Sequence, residues 1–368
     1  MKKQFLILLL LLPQIPIIAQ KAADFSSIDK IARETPKKYT NSIEELTAYL
    51  TKNAHSDLEK VRAFYIWVTE NIRYDTKLYF GKPIDPAVRH KKQQYPSVLK
   101  YKKGVCEGYA NLFHELCVTA KIPSEIVTGP TKRKGRVLRT SHAWNAVKID
   151  NQWFLVDNTW GAGYVDVDKK KFHRVFQEKY FLAAPKVFIQ DHYPQDYIFQ
   201  MLPTPIQWLD YKKKEIPETA FKNESLDPIN FQDSINYYHA LPSDQKELNR
   251  ALRILRFNPE SNYAKAKAAE AYNRKAWNKI KKYRLDTKPL KDNLDLLTTE
   301  QLDVWQKLII DCKELFIKAE SYSKLMKPGD KDFRRIKVIR KNIKLGRSSL
   351  ENMEGQLEYF HRYLERKK

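Results

Sequence analysis

Cys106, His142 and Asp157 are residue types that together can make and break acyl bonds, and they stand within one stretch of this chain. Cys106 falls in the first turn of an expected helix. Unpaired backbone N–H groups and the positive end of the helix dipole stabilise an anion there, so its thiolate forms more readily than that of a free cysteine. The competing reading is a small buried hydrophobe, which is what Cys117 and Cys312 are expected to be.

Register relates the other two residues. Asp150-Asn151 has the chemistry of a two-residue hairpin turn between strands at 142–149 and 152–156. Such a turn sets Ile149 opposite Gln152, hence Trp144 opposite Asp157 and His142 opposite Thr159. Opposed residues share a sheet face, as do residues two apart along a strand. His142 and Asp157 therefore project from one face as diagonal neighbours, roughly 7–8 Å apart at the backbone, a gap that an imidazole and a carboxylate can bridge. A four-residue loop would keep that relation and a three-residue loop would break it. A thiol, a histidine that takes its proton and a carboxylate that orients the ring form a generalised catalytic triad. A core histidine and a strand-end aspartate bonding backbone amides are the alternatives, and register does not set the contact between Cys106 and His142.

These residues need elements to position them. Ser56-Asp-Leu-Glu has the capping-box form, and Leu58, Val61, Phe64, Tyr65, Val68 and Ile72 follow at helical spacing. The proline-marked stretch 81–96 reads as loop. Tyr109, Phe113, Leu116, Cys117 and Ala120 lie on one face of the helix that Cys106 opens. Beyond about residue 210, glycine and proline thin out, and 248–282, 302–325 and 333–364 read as amphipathic helices. The expected fold is α+β over 21–210 followed by an all-helical domain over 211–368.

Residues 1–20 read as a signal peptide: Lys2 and Lys3, an apolar run from Phe5 to Leu12 that continues through Ile18, and Ala19 at the cut. No later segment has the roughly 20 consecutive apolar residues of a membrane helix, so no integral span is expected, and the protein is placed in the periplasm, at the cell surface or outside the cell. Three cysteines make no disulfide framework. The net charge is +23, from 67 basic and 44 acidic residues. It favours anionic surfaces or simple solubility, while export argues against nucleic acid.

Three blocks of sequence resemble the transglutaminase-like superfamily: Gly-Val-Cys-Glu-Gly-Tyr-Ala-Asn-Leu-Phe at 104–113, Ser-His-Ala-Trp-Asn-Ala-Val at 141–147, and Trp-Phe-Leu-Val-Asp-Asn-Thr-Trp-Gly-Ala-Gly at 153–163. Lys-Tyr-Phe-Leu-Ala-Ala-Pro from Lys179 and Phe-Ile-Gln-Asp-His-Tyr-Pro from Phe188 resemble its kyphoscoliosis-peptidase branch. The likeness covers roughly 40–210 and implies a papain-like core, a helix carrying Cys106 packed on an antiparallel sheet. It further implies that Cys106 attacks an amide carbonyl, His142 shuttles the proton and Asp157 orients His142. Water as acceptor would give a peptidase or amidase, favoured over cross-linking through a lysine amine.

On that reading the Cys106 N–H is a candidate oxyanion donor. Trp144 and Trp160 line an acyl groove or merely pack, and Tyr74 supplies a hydroxyl. No calcium-loop spacing occurs, no metal or cofactor is expected, and His114 and His192 read as structural. The resulting expectation is an exported thiol-dependent enzyme acting on protein or peptide. The alternative is a non-catalytic binding or envelope-associated scaffold module of the same fold. The basic run 331–347 reads as a core-facing helix with a solvated polar face, or as a surface for an anionic envelope polymer or an acidic protein.

Overall fold

The computed structural model describes residues 24–222, 228–326 and 333–367, so the expected leader lies outside the described residues. Two compact units divide between Pro194 and Gln195. Among the described residues, no helix is long and apolar enough to cross a membrane.

The first unit opens with helices α1 (Ser26–Arg33), α2 (Ile43–Thr51) and α3 (Asp57–Asn71). Ser56 caps α3 by accepting from Glu59 N at 3.2 Å, while the Glu59 carboxylate reaches back to His55 N, one residue before the expected partner. Every residue from Val61 to Thr69 in α3 is buried, making this helix the spine of the core. Its C-terminal carbonyls, Thr69 O and Ile72 O, accept from the Arg174 guanidinium, which satisfies groups the helix itself cannot.

A two-residue strand, β1 (Arg73–Tyr74), leads to α4 (Thr76–Phe80). The stretch read as loop holds α5 (Pro86–Gln93) and the start of α6 (Tyr95–Tyr101). Asp85 caps α5 by accepting from Ala87 N and Val88 N, and Pro86 occupies its first turn, where a missing N–H costs nothing. The prolines that suggested loop are helix starts. Strand β2 (Lys103–Gly104) pairs in parallel with β1 and precedes α7 (Cys106–Thr119). The Gln93 side chain accepts from Val105 N at 2.8 Å, tying the start of α7 to α5. The Tyr109, Phe113, Leu116 and Cys117 face of α7 is buried against α3 as its spacing predicts.

The sheet follows as β3 (Ser124–Arg133), β4 (Arg136–Ile149) and β5 (Gln152–Val156), antiparallel in that order. Asp150 and Asn151 both have positive φ, 47° and 65°, the backbone of a two-residue primed turn, and Ile149 pairs with Gln152 as expected. After β5 come α8 (Asn158–Ala162), a hairpin of β6 (Gly163–Asp166) and β7 (Lys171–Arg174), and the short helix α9 (Pro185–Phe188). The unit is a mixed α/β core, as the sequence implies.

The second unit is almost wholly helical: α10 (Trp208–Tyr211), α11 (Phe231–Ala240), α12 (Ser243–Phe257), α13 (Asn262–Asp286), α14 (Thr299–Lys324) and α15 (Phe333–Lys367). Its start precedes the change of composition near 210 because residues from 195 onward pack with these helices. Asp196 takes two hydrogen bonds from Arg253, at 2.6 and 3.0 Å, and the Tyr197 ring lies 4.1 Å from Phe257. Helices α13, α14 and α15 share a core of Ile280, Trp305, Cys312, Phe316, Ile336 and Ile343. At Gly346 of α15 an added Cβ would lie 2.1 Å from the Phe316 ring, so only glycine admits that ring.

Candidate functional site

His142 stands on β4 opposite Gly129 of β3, its ring aimed toward the end of β5. Asp157 is the residue at which β5 stops and α8 begins. Its Oδ1 caps that helix, accepting from Thr159 N at 2.7 Å and Trp160 N at 3.1 Å. Its Oδ2 accepts from His142 Nε2 at 2.8 Å and from His192 Nε2 at 3.0 Å. His192 arrives on the loop after α9, and its Nδ1 meets Asp191 Oδ1 at 2.5 Å. The site is thus a buried His–Asp–His cluster in which one carboxylate serves two imidazoles and a helix end.

Aromatic rings close around it. His192 stacks on Phe188 at 4.1 Å between centroids, and Trp160 and Trp144 meet it edge-on at 4.5 and 5.1 Å. Low dielectric strengthens the charge interactions inside this shell. Burial opposes the charged imidazolium at His142, but the charge and hydrogen bond of Asp157, with a further hydrogen bond to Cys106, overcome it and push His142 up to about 10. Burial likewise opposes the Asp157 carboxylate, yet His142 and His192 hold it well below the usual carboxylate range.

The cluster departs from the expected triad. It contains His142, Asp157 and His192, and no cysteine is a member. The carboxylate is shared between two imidazoles rather than dedicated to one ring. The assignment of a Cys–His–Asp triad, and with it the thiol-dependent peptidase, amidase or acyltransferase, does not stand. His192 was read as structural because nothing at ligand spacing accompanies it. Its partner lies 35 residues earlier, and the available signal was the Asp191-His192 pair set among Phe188, Tyr180 and Tyr193.

Cys106 is half-buried on the wall of a cleft of about 580 Å³ that also takes in Tyr74, His142 and Trp160. Trp144 is buried, with its ring against those of His142, Phe188 and His192. Burial, with Cys106 and two tyrosines nearby, raises Tyr74 far above the ordinary tyrosine range, so its hydroxyl stays protonated. Cys117 and Cys312 are buried, and burial pushes the Cys312 thiol up to about 11.

The ligand atoms of His142, Asp157 and His192 lie within 4.8 Å of one another, close enough to hold an ion. A metal would have to displace the protons of both hydrogen bonds.

A helix opened by cysteine and packed on an antiparallel sheet bearing histidine and aspartate is the architecture of transglutaminase-like, papain-like domains. Residues 44–158 match the transglutaminase-like superfamily model. The first unit is thus transglutaminase-like over 44–158 and is related, at moderate identity, to kyphoscoliosis-peptidase-like proteins. Kyphoscoliosis peptidase of mouse and of human are each 34% identical over 210 residues, covering 55% of this chain and 30% of theirs. The Lim and transglutaminase domain protein ltd-1 of Caenorhabditis elegans is 27% identical over 222 residues, covering 55% of this chain and 29% of its own. The chain therefore spans less than a third of the length of these relatives.

Proposed function

We propose that the first unit is a non-catalytic binding module whose cleft receives a segment of protein or peptide. The observation that carries this reading is the pairing of an open cleft with a floor whose titratable groups are already engaged with one another. The Asp157 carboxylate is saturated by four donors, and His142 Nε2 is spent on it. The cleft walls are rich in aromatic and aliphatic side chains, among them Tyr74, Leu138, Tyr164 and Phe172, which suit the side chains of an extended peptide. Relatives that carry the name peptidase support a peptide as the occupant.

Two measurements on the purified chain test this. Anisotropy of fluorescent peptides should show saturable binding, and the same peptides should release no amine on prolonged incubation. Amine release that disappears in Cys106→Ser would overturn the reading. Export belongs to the proposal through the leader-like first 20 residues. Fractionation of the native host that recovers only uncleaved chain with the cytoplasm would refute it.

A further inference from the structure

Three cationic side chains line the cleft, Arg89, Arg133 and Lys179, and no aspartate or glutamate does. They come from separate elements: Arg89 from α5, Arg133 from the end of β3, and Lys179 from the segment between β7 and α9. Among the described residues none of the three forms an ion pair. Three acids of the same unit are engaged elsewhere. Glu107 meets His90 at 3.0 Å, Glu178 meets Arg62 at 2.5 Å, and Asp191 meets His192 at 2.5 Å. Three unneutralised cations lining one concave space focus a positive potential within it.

The same walls expose apolar surface. Tyr79, Leu138, Tyr164 and Val167 are 40, 37, 49 and 56% exposed. Charge and apolar contact therefore specify a mixed occupant. We infer that the cleft selects an acidic peptide segment, with aspartate or glutamate side chains set among Arg89, Arg133 and Lys179 and an aromatic or aliphatic residue against Tyr79, Leu138 and Tyr164. This rests on the peptide-binding reading above and names the substrate class for that site. A nucleic acid is the poorer match, because the cations ring a pocket instead of tracking a backbone, and aliphatic Leu138 and Val167 offer no stacking face.

The test uses the full chain with three short fluorescein-labelled peptides that share their tyrosines and leucines and differ only in carrying glutamate, glutamine or lysine between them. The glutamate peptide should bind at least about tenfold tighter than the lysine peptide, with the preference weakening as salt rises. Because the whole chain is basic, the effect must be localised. Arg133→Glu or Arg89→Glu should each abolish most of the preference, whereas Lys344→Glu in the helical unit should leave it. The glutamate peptide, and not the lysine peptide, should also slow alkylation of Cys106, which shares the cleft wall. Equal binding of all three peptides would overturn the charge selection while leaving peptide binding intact. Failure of every peptide to bind would sink the peptide-binding reading itself. An acidic preference that Lys344→Glu reduces as much as Arg133→Glu, or an oligonucleotide that binds as tightly as the glutamate peptide, also overturns the inference.

Discussion

His142 and Asp157 form a pair whose contribution to stability has a defined pH window. The ordinary value of a histidine is 6.5, and in the folded chain His142 is held up to about 10. Below 6.5 the imidazole is charged in folded and unfolded chains alike, and the stabilisation is present in full. Between 6.5 and 10 the unfolded chain has released a proton that the folded chain retains, so stability falls as pH rises across that interval. At the acid end the sign reverses: Asp157 is depressed in the fold, and its stabilisation is lost as pH falls through that lowered value. The alkaline loss should be on the order of a few kcal/mol. Urea midpoints of the wild type should drop from neutral to alkaline pH, while His142→Gln should be less stable at neutral pH and nearly flat across the same range. Parallel decline of the two proteins would show that the pair is not the source. At this scale the sequence was half legible. His142 and Asp157 were found because strand parity links them, but His192 comes from an irregular loop, and no period in the chain points an irregular loop at a distant carboxylate.

The hairpin that brings the pair together depends on two residues in a conformation that side chains resist. Asp150 and Asn151 hold positive φ without a glycine between them, and asparagine and aspartate tolerate this because their short polar side chains bond locally. Replacing Asn151 with valine should destabilise the first unit by about 1–2 kcal/mol, and replacing it with glycine should be neutral or slightly stabilising. Thermal melts of the two variants would decide this. Similar melting of both would mean that the turn does not limit stability. Turn chemistry made this hairpin readable, whereas the helix at 86–93 was not, since a proline after Asp85 reads as a break until its position in the first turn is known. Helices of the second unit were readable for a third reason: long apolar periods such as Ile336, Ile339 and Ile343 face one core.

Taken over the whole chain, an excess of positive charge need not mean a dedicated anionic partner, because much of it in the helical unit is compensated locally. Arg335 pairs with Glu270, Arg347 with Glu320, Arg274 with Glu247 at 2.7 Å, and Lys279 with Asp311 at 2.8 Å. Each pair bridges two helices, and exposed pairs of this kind add only about 0–1 kcal/mol apiece. Their larger effect is to neutralise the field that a basic helix would otherwise project, since α15 buries Ile336, Ile339 and Ile343 and turns Arg335 and Arg347 toward glutamates on its neighbours. Retention on a sulfonate matrix should therefore follow net charge and not the location of that charge. The double variant Lys341→Glu, Lys344→Glu on α15 and the double variant Lys37→Glu, Lys82→Glu on the first unit remove the same charge from exposed positions, and both should elute at similarly reduced salt. A markedly larger drop for the α15 pair would identify that helix as a localised anion-binding surface, and the compensation by Glu270 and Glu320 would then be insufficient to hide it.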